Sequence, residues 1–89
     1  MINGHHQKRV VLTPNEEIII SFVLDIRSIS LKAAGGSILF KFNKSINGLD
    51  DLNANILGDG ESFDTIKSSP IYELHLFSSE AAEVQWDIP

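Results

Sequence analysis

The sequence predicts an all-β protein: an antiparallel β-sandwich, jelly-roll-like, of about eight strands in two pseudo-symmetric halves. Apolar and polar residues alternate with period 2 in most segments, and no segment has a convincing helical pattern. In addition, residues 14–42 and 59–88 show the same order of turn, glutamate and strands, about 45 residues apart. Period-2 apolar faces must be buried against a second layer, and two packed sheets provide one.

The internal repeat can be aligned residue by residue. In both halves a turn and a glutamate precede an apolar strand, an alternating strand, a small-residue connection and a strand with aromatic residues. The second connection is one residue longer. The corresponding pairs are Glu16 and Glu61, Ile18 and Phe63, Ile26 and Ile71, Ile29 and Leu74, Leu31 and Leu76, Ile38 and Val84, Phe40 and Trp86, and Phe42 and Ile88.

Turn residues separate the expected strands. Pro14 presets φ and Asn15 tolerates the left-handed region, which predicts a turn before the first half. Residues 33–36 and 78–80 are expected to form hairpins, residues 58–61 a tight turn, and residues 43–53 the one long loop. The predicted strands are residues 8–12, 17–24, 27–32, 37–42, 54–57, 62–66, 71–77 and 82–88.

The alternation also predicts which side chains form the core. Tyr72 is expected to face inward with Leu74 and Leu76. Glu73 and His75 of the same strand are expected to face outward. The predicted core consists of Ile20, Ile29, Leu31, Ile38, Phe40, Leu74, Leu76, Val84 and Trp86.

The strand at residues 17–24 is apolar on both faces. Ile18, Ile20 and Phe22 share one face, and Ile19 and Val23 lie on the other. A single sandwich has one interior, so we expect Ile19 and Val23 to form an interface with a neighbouring subunit.

Composition bounds the classes of function. The chain has 89 residues, enough for one domain, which we place at residues 8–89 after a flexible or partner-docked arm at residues 1–7. The net charge is −5 and no basic stripe is present, so nucleic acid is not an expected partner. No apolar run reaches the roughly 18 residues that cross a membrane, and the N-terminus lacks the apolar region of a signal peptide.

No catalytic constellation is visible, and we expect neither an enzyme nor a cofactor. His5 and His6 are adjacent on the chain and His75 is distant; a cupin-type metal site on a jelly roll would show a histidine pair on one strand. The acidic residues Asp50, Asp51, Asp59 and Glu61 could offer oxygens to calcium, but their positions around two turns favour solvated turn residues. The aromatic residues could form a sugar-stacking platform, although their period-2 placement favours a core.

The order of these segments resembles small all-β virion proteins of tailed bacteriophages. The resemblance lies in the segments PNEEIIISF and GDGESFDTI, IRSISLKA and IYELHLFSS, GSILFKFN and AAEVQWDIP, and it covers roughly residues 10–89. It implies a non-enzymatic capsid decoration or cement protein in the virion, assembled in the host cytoplasm. The implied assembly is a homo-oligomer, with a trimer favoured, on other virion proteins such as the major capsid protein. The alternative is a carbohydrate- or receptor-binding sandwich module of a tail or fibre.

Overall fold

The structure, a computed structural model, describes residues 6–88 and, among them, the side chains of residues 8–22, 26–65 and 70–88. The described residues form strands, turns and bends and no helix. No helix in this part of the chain has the length and apolar character needed to cross a bilayer. The strands are β1 (His6–Val11), β2 (Ile18–Ala34), β3 (Ile38–Phe42), β4 (Asn55–Leu57), β5 (Ser62–Phe77) and β6 (Glu83–Ile88).

Strands β2 and β5 each join two of the eight predicted strands. The separations expected after residue 24 and at residues 67–70 were wrong, because the backbone remains extended through both. The pairing of β2 with β5 instead shifts register between Ser21 and Ile26 and again between Ile26 and Ser28. A bulge of this kind bends a strand without ending its ladder, and this is how two long strands can serve both halves of the fold.

All strands pair antiparallel, in the order β1-β6-β2-β5-β3-β4. The two predicted hairpins were wrong, because β2 does not pair with β3 and β5 does not pair with β6. Each small-residue connection instead carries the chain past a neighbouring strand, as in a Greek key or jelly roll. A hairpin and a crossing of this kind need similar turn residues, for example a glycine with positive φ such as Gly35, at 84°.

The two halves are related by an approximate two-fold operation. The sequence repeat aligns Ile18 with Phe63 and Leu31 with Leu76. When each residue of the observed pair Ile18–Leu76 is replaced by its equivalent in the other half, the result is the pair Phe63–Leu31, which is also observed. In the same way the pair of Leu31 with Trp86 corresponds to the pair of Leu76 with Phe40. The sequence repeat is therefore a repeat of strand pairing.

The turns that open the two halves are equivalent as well. The amide of Glu16 donates to Thr13 O at 3.2 Å, and the amide of Glu61 donates to Gly58 O at 3.0 Å. The third residue of each turn has positive φ, 64° at Asn15 and 82° at Gly60. The turn predicted at residues 13–16 is thus confirmed, and Asn15 adopts the left-handed conformation that it tolerates.

The core lies inside the rolled sheet and matches the predicted set. Eight of the nine predicted core residues are buried, and Ile20 is partly buried against them. The inward orientation predicted for Tyr72 was wrong, since Tyr72 is 57% exposed whereas Ile71 is fully buried. The register shift near Ile71 interrupts the alternation there, so counting back from Leu74 by twos no longer gives the inward face.

Candidate functional site

The most polar buried environment lies on the outer face of the sheet, the side opposite the core. His75 is at its centre, because β5 pairs it with Ile19 of β2 on one side and with Lys41 of β3 on the other. Its chain neighbours Leu74 and Leu76 point into the core. The imidazole was expected outside, and it is on that face, yet it is only 3% exposed.

Two carboxylates flank the imidazole of His75. Its Nδ1 lies 2.8 Å from Glu17 Oε2, and its Nε2 lies 2.8 Å from Glu73 Oε1. The Glu17 side chain is 25% exposed and that of Glu73 is 44% exposed, so the ring is shielded while the carboxylates reach water. An ionised carboxylate only accepts hydrogen bonds, so both contacts are satisfied when both ring nitrogens carry protons.

A second ion pair lies beside this one. Lys41 Nζ is 2.8 Å from Asp51 Oδ2, with the two side chains 14% and 5% exposed, and it also donates to Ser45 O at 3.1 Å. Asp51 accepts two further hydrogen bonds, from the amides of Asn47 and Asn53, both at 2.9 Å. The hydrogen bond from Lys41, followed by those of the two amides, lowers the pKa of Asp51 from 3.8 to about 2.

These five side chains, Glu17, Lys41, Asp51, Glu73 and His75, are termed the outer cluster below. They fasten residues 43–54, the covering loop, to the sheet. Glu17 Oε2 accepts the amide of Ile46 at 2.9 Å in addition to contacting His75, and the Ile46 side chain is 8% exposed. The sequence analysis missed this arrangement. The sequence gives little signal for it, because Ile46 is one of three large apolar residues in this loop, and the other two, Leu49 and Leu52, are exposed.

The contacts of the outer cluster position the covering loop on the sheet. Both nitrogens of His75 are already occupied by carboxylates, and Lys41 is shared between Asp51 and a backbone carbonyl. A general base needs a nitrogen or oxygen that faces the proton it removes. In this arrangement the ring nitrogens of His75 and the ammonium of Lys41 face other groups of the cluster or the covering loop, while the carboxylates of Glu17 and Glu73 also reach water.

The acidic residues considered for calcium binding are separated by the fold. Asp51 belongs to the outer cluster, whereas Asp59 Oδ1 accepts the amide of Gly35 and Glu61 Oε1 accepts the amide of Gly58. Asp50 is exposed in the covering loop. Among the described residues no group of three or more His, Cys, Asp or Glu side chains could hold a metal ion. His5 and the His6 side chain lie outside the described residues.

The candidate interface residues can be placed only in part. Ile19 lies on the outer face beside His75 and is 50% exposed, opposite Ile18 and Ile20, which pack against the core. The side chain of Val23 lies outside the described part of the structure. The interface itself stays a prediction.

A shallow apolar groove lies between the covering loop and the end of the sheet. Its volume is about 80 Å³, and Leu39, Leu49, Ile56 and Phe77 form its apolar walls. Leu49 is 56% exposed and Ile56, on the edge strand β4, is 74% exposed. The groove is much smaller than the pockets of roughly 300–1,000 Å³ that hold small-molecule ligands.

The sequence Asn43-Lys44-Ser45 matches an N-glycosylation sequon, and in the fold Asn43 has a structural role. It has a positive φ of 64°, and its side chain accepts the amides of Tyr72 and Glu73 and donates to Pro70 O. These bonds support β5 where its register with β2 shifts. A glycan on this amide would replace one of the two hydrogens of the nitrogen that donates to Pro70 O.

Comparison with known proteins places the fold. No family model matches the chain, and no curated protein matches it. Among solved structures, a cupin-2 domain containing protein from Shewanella frigidimarina NCIMB 400 is similar, with TM-score 0.62 and 14% identity over 100% of this chain and 74% of that one. A de novo designed double-stranded β-helix is also similar, with TM-score 0.59 and 17% identity over 93% and 95%. The fold is a jelly-roll-like double-stranded β-helix.

At these identities the likeness concerns the fold alone, so the chemistry must be judged from this chain. Among the side chains that the structure describes, the core cluster inside the roll is aliphatic and aromatic, and such side chains do not bind metal ions. The two buried polar residues of the described core and surface, His75 and Ser78, both have partners: His75 in the outer cluster, and Ser78 through Ser37 O and the amide of Glu80. A metal site of the cupin type therefore does not fit the residues that line this interior.

Proposed function

We propose that the protein is a non-enzymatic structural protein of a phage virion, most specifically a capsid decoration or cement protein. The observation that carries the proposal is the filled interior of the roll, where Phe40, Trp86 and their aliphatic neighbours pack together. Small barrels filled by side chains leave no room inside for a substrate. The outer surface is then the part that acts, and the virion setting rests on the sequence resemblance.

The direction of the aromatic rings supports the structural role over a sugar-binding role. Phe40, Phe42, Phe63 and Trp86 belong to the core or pack against it, and the ring of Phe40 contacts those of Phe42 and Phe63. A sugar-binding platform needs several rings exposed on one face.

The virion setting can be tested directly in phage particles purified from a lysate of cells that produce this protein. We expect quantitative mass spectrometry to find the protein in a fixed ratio to the major capsid protein, and cross-linking to join the two. A protein that remains in the lysate and is missing from purified particles would contradict the virion setting. Cryo-electron microscopy of the same particles would locate it.

Self-association through Ile19 is the second part of the proposal, and a trimer is favoured. The core of a domain this size is small, and a half-exposed isoleucine on a sheet face gains from being covered. We expect the parent protein to sediment as an oligomer at micromolar concentration and Ile19→Asp to sediment as a monomer. Val11→Asp is the matched control, because Val11 is 63% exposed on the edge strand β1. A monomeric parent protein would rule out this assembly.

A carbohydrate- or receptor-binding module remains the second candidate, because Tyr72 is 57% exposed on the outer surface. Glycan-array binding by the parent protein that is lost in Tyr72→Ala and kept in Tyr72→Phe would favour it. If the protein binds no glycan and is found in the capsid, the structural role is favoured over the binding module.

A further inference from the structure

The covering loop contains the pair Asn47-Gly48, and Asn47 is the one asparagine among the described residues that is followed by glycine. Asn47 is exposed, and no residue of the described structure forms a hydrogen bond with its side chain. The next residue, Gly48, has a φ of 78°, and a Cβ built on it would meet nothing within 4 Å. Within the described residues the amide of Gly48 donates no hydrogen bond. The side-chain carbonyl and the following backbone nitrogen are therefore both unoccupied and unobstructed.

We propose that Asn47 is a site of spontaneous covalent modification, which converts it through a cyclic imide into aspartate and iso-aspartate and thereby loosens the covering loop. In the first step the Gly48 nitrogen loses its proton and attacks Cγ of Asn47. A bond forms between that nitrogen and Cγ, the bond from Cγ to Nδ2 breaks, and ammonia leaves with the proton. Solvent water then opens the ring.

Ring opening has two outcomes. Hydrolysis of the bond from the nitrogen to Cγ restores the original backbone with an aspartate side chain. Hydrolysis of the bond from the nitrogen to the backbone carbonyl of residue 47 gives iso-aspartate, in which the chain runs through the side-chain methylene. Both reactions consume one water, and neither involves oxidation or reduction.

Either product disturbs the contacts that fasten the loop. The amide of Asn47 donates to Asp51 Oδ2, and Gly48 O accepts the amide of Asp51 at 3.3 Å. A methylene inserted between residues 47 and 48 changes the spacing of these two hydrogen bonds. A new carboxylate at position 47 also adds negative charge near Asp51, whose charge Lys41 must already balance.

Other asparagines provide internal comparisons. The side chains of Asn43 and Asn55 are held by hydrogen bonds, Asn55 through Phe40 O. Asn53 precedes Ala54, whose Cβ hinders the same attack. Asn3 precedes Gly4 and lies outside the described residues, so its conversion must be separated by peptide mapping.

The test is to incubate the full chain at mildly alkaline pH and follow iso-aspartate by peptide mapping with isoaspartyl methyltransferase labelling. We expect conversion at position 47 to exceed that at residues 43 and 53 and to be lost in Asn47→Gln, whose longer side chain disfavours the ring. Asn3→Gln, which keeps Asn47, should retain it. Conversion at Asn47 no faster than at Asn53 would overturn the proposal.

Loosening of the loop needs its own measurement. Hydrogen exchange of the amides of Ile46, Asn47 and Asn53 should quicken in the purified iso-aspartate form, and less so in Asn47→Asp. Amides of β3 and β5 serve as the control and should be unchanged. Unaltered exchange at all three loop amides would refute the structural consequence even where the modification occurs.

Discussion

His75 joins two carboxylates on the outer face and, through Glu17, the covering loop. Removing the imidazole leaves Glu17 and Glu73 without their shared partner and leaves a space beneath the loop. We expect His75→Ala to lower the free energy of unfolding by about 1–3 kcal/mol, the usual cost of leaving hydrogen-bonded groups unsatisfied. Chemical denaturation measures it. The control is Ser30→Ala, the two-fold equivalent position, which should change stability by less than about 0.5 kcal/mol.

Asp51 gives the loop a dependence on pH whose direction follows from its pKa. The folded-state pKa of about 2 is below the ordinary value of 3.8, so the carboxylate stabilises the folded protein above pH 3.8 and this contribution is lost as pH falls toward 2. The difference in unfolding free energy between the parent protein and Asp51→Asn should therefore shrink over this interval. Lys41→Met should weaken the same dependence, because the Lys41 hydrogen bond is its largest cause. A difference that is constant with pH would contradict the assignment.

Among structural elements, the two opening turns offer a matched comparison. Gly60 has positive φ and nothing within 4 Å of a built Cβ, so Gly60→Ala incurs the left-handed backbone cost alone, about 1 kcal/mol. Asn15→Ala should cost a similar amount, whereas Asn15→Gly should be nearly neutral because glycine adopts this conformation freely. Denaturation of the three variants checks this. A large loss in Asn15→Gly would assign a further role to the asparagine side chain.

The strands and their inward faces could be predicted because alternation is local, and Leu74, Leu76 and Val84 are buried where it places them. Strand partners could not, since the residues around Gly35 suit a hairpin and a crossing equally well. Tyr72 was misplaced by a register shift that depends on the partner strand. The outer cluster joins Glu17, Lys41 and His75, which are far apart in the sequence. Their contact depends on strand pairing, so the local spacing of residues does not predict it.

For the whole molecule, the equivalent positions of Phe40 and Trp86 predict similar energetics. Each pairs with a buried leucine of the central strands, and both lie in one core cluster. Trp86→Ala should cost roughly 3–5 kcal/mol, and Phe40→Ala should cost a comparable amount. Unchanged stability in Trp86→Ala would place the tryptophan on the surface and favour sugar binding again.

The shared central ladder also predicts a single cooperative transition. Strand β2 belongs to the first sequence repeat and β5 to the second, and the two strands pair with each other along most of their length. Neither repeat therefore contains a complete sheet of its own. Trp86 fluorescence and far-ultraviolet circular dichroism should therefore report the same midpoint of unfolding. Two separated midpoints would mean that the halves unfold independently.

This exchange of partners bears on how such a chain could originate. A peptide of about 45 residues that carried one repeat would have its own inward faces but would lack the strand that completes them. Two identical peptides could supply that strand to each other, as an intertwined dimer with a true two-fold axis. Duplication and fusion of the gene would then join the pair through the segment that is now the covering loop. The two copies of the opening turn, alike in hydrogen bond and in φ, are the features that such an ancestry would leave behind.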